Sequence, residues 1–189
     1  QMITDGIAEV IVQPTHVING IENDLMKEDA LAFKNRFERI TFGDPLLTTQ
    51  QDHVEIVNAI CQEFSNLPAD CALILMGHGT SHYANDVYAA LDYRFKDLGF
   101  SNIHLATVEG YPTLENVTRM VKEQEAKKVI LAPFMIVAGD HARNDMSGDD
   151  EDSWKNQFRA AGYDVECRMK GLGEYPAIQD MLIRHVTEV

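Results

Sequence analysis

Ala72-Leu73-Ile74-Leu75-Met76 is an unbroken apolar run, too short for a buried helix and closed by Gly77-His78-Gly79. Such a run reads as a strand with no solvent-facing side, which belongs in a parallel sheet covered by helices on both faces. The residues that follow repeat the pattern. A helix with Val87, Tyr88, Leu91, Phe95 and Leu98 inward ends at Gly99, and Ile103 to Val108 form the next strand. Pro112 sits where a first-turn proline opens a helix bearing Leu114, Val117, Met120 and Val121. Val129 to Val137 give a further strand interrupted by Pro133, Asp149 to Asp152 open a helix ending near Ala161-Gly162, Val165 lies in a weak final strand, and Pro176 opens the last helix. Strands and helices in alternation mean βαβ units with right-handed crossovers, so the expected fold class is α/β.

Upstream, Val10-Ile11-Val12 ends at Pro14 as a buried strand does. Asn23 to Ile40 reads as an imperfect amphipathic helix, and a second helix runs from about Gln50 to a stop before Pro68. One strand with two helices cannot bury its own faces. Residues 1–69 are therefore expected to be the remainder of a first α/β domain and residues 70–189 a complete second one.

The composition excludes several functions. With 30 acidic against 16 basic side chains and a net charge of -14, a nucleic-acid partner is not expected, because phosphate neutralisation needs a basic face. Three widely spaced cysteines without a CxxC pair indicate neither a disulfide framework nor a thiolate zinc site. No apolar run is long enough to span a membrane, and the N-terminus has no secretory profile. The expected compartment is the cytoplasm, with a periplasmic one left open if a segment upstream of Gln1-Met2 is removed.

In an open parallel sheet, ligands bind outside the carboxyl ends of the strands. His78 directly follows the strand ending at Met76, Glu109 follows the one ending at Val108, and His141 follows the one ending near Val137. Two neutral imidazoles and a carboxylate on one rim suit a divalent first-row metal with positions left for a substrate. Gly77, Gly79, Gly110 and Gly139 flank the three and permit tight turns or close approach. His82 reads as a first-turn residue and His16 as a group lining a cleft between the two units. His53, His104 and His185 read as packing or surface residues. The acidic run from Asp140 to Asp152 reads as a solvated helix start, with attraction of cations toward His141 as the alternative. Gly77-His78-Gly79-Thr80 lacks the lysine of a phosphate loop, and no Ser or Cys occupies a nucleophile elbow.

The segments Leu75-Met76-Gly77-His78-Gly79-Thr80, Val108-Glu109-Gly110-Tyr111-Pro112 and Val137-Ala138-Gly139-Asp140-His141-Ala142-Arg143-Asn144-Asp145-Met146 resemble those of the anaerobic cobalt chelatases, the sirohydrochlorin cobaltochelatase family. Val12-Gln13, His16 to Gly20, Asp149-Asp150 and Asp152 to Lys155 extend the resemblance along nearly the whole chain. It implies a class II chelatase fold, with two pseudo-symmetric α/β domains and a tetrapyrrole cleft between them. Family members carry more of the first domain ahead of Val10 to Val12. It also implies an enzyme that inserts Co²⁺ into sirohydrochlorin in anaerobic cobalamin biosynthesis, with His78, Glu109 and His141 as metal ligands and as acceptors for the pyrrole protons. No cofactor beyond the substrate metal is expected. The partners implied are a tetrapyrrole and a divalent metal, and the chain is compatible with a homo-oligomer. Arg143 is a candidate for the substrate carboxylates. A chelatase for iron or nickel, a non-catalytic metal or haem carrier, and a structural α/β module are the alternatives.

Overall fold

The computed structural model describes residues 1–189. Its centre is a parallel four-stranded sheet in the order β4-β3-β5-β6, formed by β3 (Cys71–Gly77), β4 (Ile103–Thr107), β5 (Lys128–Pro133) and β6 (Asp164–Cys167). β1 (Glu9–Val12) and β2 (Arg39–Phe42) form a separate parallel pair. The helices are α1 (Ile21–Leu31), α2 (Gln50–Glu63), α3 (Asp86–Asp97), α4 (Leu114–Glu123), α5 (Trp154–Ala160) and α6 (Pro176–Thr187). None is long and apolar enough to cross a membrane.

Side chains along a strand alternate between faces, and the unbroken apolar run of β3 uses both. Cys71, Leu73 and Leu75 enter one core with Ile56, Val57 and Ile60 of α2, Tyr88, Leu91 and Phe95 of α3, and Ile178 and Met181 of α6. Ala72, Ile74 and Met76 enter the other with Val117 and Val121 of α4 and Trp154 and Phe158 of α5. The result is three layers. Leu73 and Ile74 are both fully buried, and truncating either to alanine would cost about 2–5 kcal/mol. α2, numbered with the first unit in the sequence reading, has its apolar face in the core of the four-stranded sheet.

Several elements differ from the sequence expectation: the run Asp149 to Asp152 precedes α5 rather than opening it, and β1 is partly exposed rather than buried. The helix expected to run to Ile40 stops at Leu31, and Arg39–Phe42 forms β2, paired Glu9↔Arg39 through Val12↔Phe42. Phe33, Phe37 and Ile40 carry a helix-like spacing, but pairing with β1 takes precedence. The strand expected to reach Val137 ends at Pro133, whose partner is Met76. Pro112 does not open α4: Thr113 is the N-cap, in a reciprocal box with Asn116, and the Pro112 carbonyl instead accepts from the Thr107 N–H at 2.7 Å.

The outer edge of β4 is closed by side chains. Asp92 Oδ1 accepts from the Leu105 N–H at 2.8 Å, and Lys96 Nζ donates to the Ile103 carbonyl at 2.9 Å while pairing with Asp92.

Candidate metal centre

The chain leaves β3 for β4 through α3 on one face and leaves β5 for β6 through α5 on the other, so helices diverge between the adjacent strands β3 and β5. This divergence opens a crevice at their carboxyl ends. His78 follows β3 immediately, and His141 follows β5 after a loop.

Local bonding fixes the backbone around each of the three residues. The Val108 and Glu109 N–H groups donate to the His78 carbonyl at 3.1 and 2.9 Å, which prolongs the β3–β4 pairing and sets Glu109 beside His78. Asn85 then clamps the two loops together. Its Oδ1 accepts from the Thr80 N–H at 3.1 Å, and its Nδ2 donates to the Tyr111 carbonyl at 2.7 Å. A Cβ on Gly110 would stand 2.2 Å from Asn85 Oδ1, so glycine is required for the clamp to close. Gly79 has φ +81°, the left-handed region, and its carbonyl accepts from His78 Nδ1 at 2.9 Å. The loop leading to His141 is held by the Leu172 and Gly173 N–H groups, which donate to the Met135 and Ile136 carbonyls at 2.8 and 2.9 Å. His141 stands at the head of a π-helical turn, Ala142–Met146, whose Ala142 and Met146 are buried in the core.

The structure brings the three expected residues together. One ligand atom from each of His78, Glu109 and His141 lies within 4.8 Å of the others. The imidazoles of His78 and His141 are 4.7 Å apart between centroids, and His78 Nδ1 is 4.0 Å from Glu109 Oε2. The side chains are 43%, 57% and 32% exposed in the order His78, Glu109, His141, so all three are open to a ligand while their backbones are fixed. Carbonyl and carboxylate oxygens only accept, so the Nδ1 of each histidine is the donor, which in a neutral imidazole leaves Nε2 with its lone pair.

Other candidates fall elsewhere. His16 lines a cavity of about 170 Å³ together with Glu22, His78, Thr80, Tyr88 and Met135, as expected of a cleft residue, and its Nδ1 is buried with no partner. His82 caps a short turn by accepting from the Ala84 N–H at 3.2 Å. His53, His104 and His185 are buried. Arg143 is exposed, pairs with no carboxylate, and lies two residues from His141, a spacing that points side chains apart on a helical turn. The acidic run leads into α5, where Asp149 pairs with Lys155 at 3.0 Å and the Asp149 and Asp150 carbonyls accept from Asn156. Lys155 holds the Asp149 carboxyl below its ordinary value by hydrogen bond and charge. Sequence reasoning misses Asn85 and the direct contact of Asp145 with His141; the i, i+4 spacing of Asp145 from His141 is the one signal for the latter.

The family model described as Cobalt chelatase (CbiK) matches residues 1–189. The chain belongs to the cobalt chelatase family. This cobalt chelatase is 37% identical over 186 residues to the sirohydrochlorin cobaltochelatase of Salmonella typhimurium, covering 98% of the chain and 70% of that protein. It is 33% identical over 193 residues to the sirohydrochlorin cobaltochelatase CbiKC of Nitratidesulfovibrio vulgaris, covering 99% of the chain and 67% of that protein. Among solved structures, SirB from Bacillus subtilis with Fe³⁺ superposes with a TM-score of 0.68 at 13% identity, over 99% of the chain and 73% of SirB. CbiX, the terminal enzyme for biosynthesis of siroheme in denitrifying bacteria, gives 0.58 at 14%, over 96% of the chain and 76% of CbiX. At those identities the likeness is one of fold, and the cobalt chelatase has the chelatase fold expected from its sequence.

Proposed function

We propose that the chain inserts Co²⁺ into sirohydrochlorin or a related early tetrapyrrole, with His78, Glu109 and His141 holding the metal. The observation that carries this reading is the convergence of the three ligand atoms within 4.8 Å at the β3, β4 and β5 ends, beside the cavity that His78 shares with His16. Two neutral nitrogens and one carboxylate oxygen bind a first-row divalent ion and leave other coordination positions for water or macrocycle nitrogens.

Insertion exchanges two pyrrole N–H protons for one Co²⁺. Only two of the four macrocycle nitrogens carry a proton; each of these two loses it on taking up the metal, and a group beside the metal must receive it. Glu109 is the anionic and most exposed member of the three, so it serves as the first acceptor, and a histidine released from the metal serves as the second. The protein holds the ion in a partly dehydrated state, and the incoming nitrogens replace the protein ligands one at a time.

The test is production of the cobalt complex from Co²⁺ and sirohydrochlorin, followed by absorbance under multiple-turnover conditions, with Fe²⁺ and Ni²⁺ in parallel. Turnover with Co²⁺ that disappears in Glu109→Gln supports the reading. Stoichiometric Co²⁺ binding without turnover would make the chain a carrier, and absence of metal binding would make the cluster structural.

A further inference from the structure

Asp145 and His141 make their polar side-chain contact with each other, and neither has a second one. Asp145 Oδ2 lies 2.5 Å from His141 Nδ1, four residues away across the π-helical turn. His78 makes the matching Nδ1 contact to the neutral Gly79 carbonyl at 2.9 Å. The two imidazoles are therefore held by acceptors of different strength, one charged and one neutral. Charge-assisted hydrogen bonds are the stronger class, and a carboxylate on the far nitrogen of an imidazole fixes its tautomer and makes the near nitrogen a better donor to a metal.

We infer that Asp145 is a positioning residue that holds His141 as the Nδ1–H tautomer and makes it the anchoring metal ligand, with His78 the more readily exchanged of the two imidazoles. This rests on the proposed reading of His78, Glu109 and His141 as metal ligands. It also assigns a use to the π turn. Burial of Ala142 and Met146 ties the turn to the core, so the Asp145 carboxylate is delivered to His141 by the fold and not by a flexible loop. The carboxylate caps no helix and satisfies no backbone group, and 45% of its side-chain surface is exposed, so a purely structural role has little to act on.

The experiment compares the full chain with Asp145→Ala and Asp145→Asn. Ring-nitrogen NMR of the metal-free protein reads the His141 tautomer, and calorimetric titration with CoCl₂ reads affinity. The wild-type chain is expected to show His141 in the Nδ1–H form alone, and Asp145→Ala to show a mixture with Co²⁺ bound roughly 10–100-fold more weakly. Asp145→Asn, whose amide oxygen still accepts from Nδ1–H without the charge, should keep the tautomer and bind Co²⁺ with intermediate affinity; it also carries the test if the alanine variant does not fold. An unchanged tautomer together with affinity within about twofold of wild type in Asp145→Ala would overturn the inference. If the wild-type chain binds no Co²⁺, the ligand reading fails instead, and the tautomer arm still decides whether Asp145 governs His141.

Discussion

The imidazole rings of His78 and His141 meet edge to face, with planes 84° apart, although one ring is set by a strand end and the other by a π turn. Two rings brought so close by separate elements share one small space, and a cation placed there is contacted by both. His78→Ala and His141→Ala should each weaken Co²⁺ binding by more than about 100-fold, beyond the loss expected from removing an outer hydrogen bond. Titration followed by cobalt ligand-field absorption checks this, and affinity unchanged in both variants would remove the pair from the site.

Gly79→Ala should damage both the fold and the centre. A Cβ there would lie 2.6 Å from the Gly110 nitrogen and 2.8 Å from Thr107 Cβ, in a backbone conformation that L side chains rarely adopt. The expected loss is about 1–3 kcal/mol by urea unfolding. Co²⁺ affinity should fall with it, because the carbonyl that fixes His78 moves. A variant with wild-type unfolding and wild-type affinity would show that the turn is not under this constraint.

Asp52, fully buried, is the joint between α2 and α6. Its Oδ2 accepts from the Thr49 N–H at 2.7 Å, and its Oδ1 accepts from Arg184 Nη2 at 2.7 Å and His185 Nε2 at 2.9 Å. Burial by itself would push the Asp52 carboxyl up. Arg184, the Thr49 backbone, His185 and the Thr49 hydroxyl outweigh it and lower it to about 2. A lowered carboxyl contributes stability that is fully present above the ordinary value, ~3.9, and is lost as pH falls through the folded value. The contribution is about 2–3 kcal/mol, disappearing between roughly pH 4 and pH 2. Asp52→Asn should cost about 3 kcal/mol at neutral pH, since Arg184 and His185 lose their anion, and should flatten the acid limb of a stability–pH profile. Denaturant unfolding from neutral to strongly acid pH measures both.

His53 and His104 are expected to make the fold acid-sensitive well above that range. Burial first, then Arg94 for His53 and Lys96 for His104, lowers both imidazoles from their ordinary value of 6.5. Each also has a buried ring nitrogen without a partner, Nε2 in His53 and Nδ1 in His104. The folded chain keeps them neutral while the unfolded chain takes up protons below about pH 6.5, so stability is highest above that value and falls as pH drops beneath it. The slope reaches about 1.4 kcal/mol per pH unit for each histidine until its folded value is passed. Urea unfolding at pH 7.5 and 5.5 should show the decline, and His104→Gln should remove one histidine's share.

The candidate centre was largely legible because the three residues that meet there obey a rule of position. His78 and Glu109 sit where β3 and β4 end, and such ends are marked in a sequence by apolar runs that stop at glycine. His141 is legible only through the rule, since β5 ends at Pro133 and a loop intervenes. Asp145 is hidden by its company: among Asp140, Asp149, Asp150 and Asp152 its charge looks like part of a solvated run, and nothing local announces a π turn. β2 is hidden because its partner β1 lies about thirty residues upstream, beyond the reach of any periodicity window. Asn85 and Asp52 are polar residues whose burial depends on loops and helices that meet only in the folded chain.

The closed edge of β4 bears on how copies of this chain behave when crowded. An edge strand normally offers a ladder of free N–H and C=O groups to any extended segment that drifts past. On β4 the Ile103 carbonyl and the Leu105 and Thr107 N–H groups already have intramolecular partners, so a newcomer would have to displace Lys96, Asp92 and Pro112 to pair with these three groups. The central sheet is thereby a largely capped polymer on that side, and sheet-to-sheet growth is favoured at the four residues of β6.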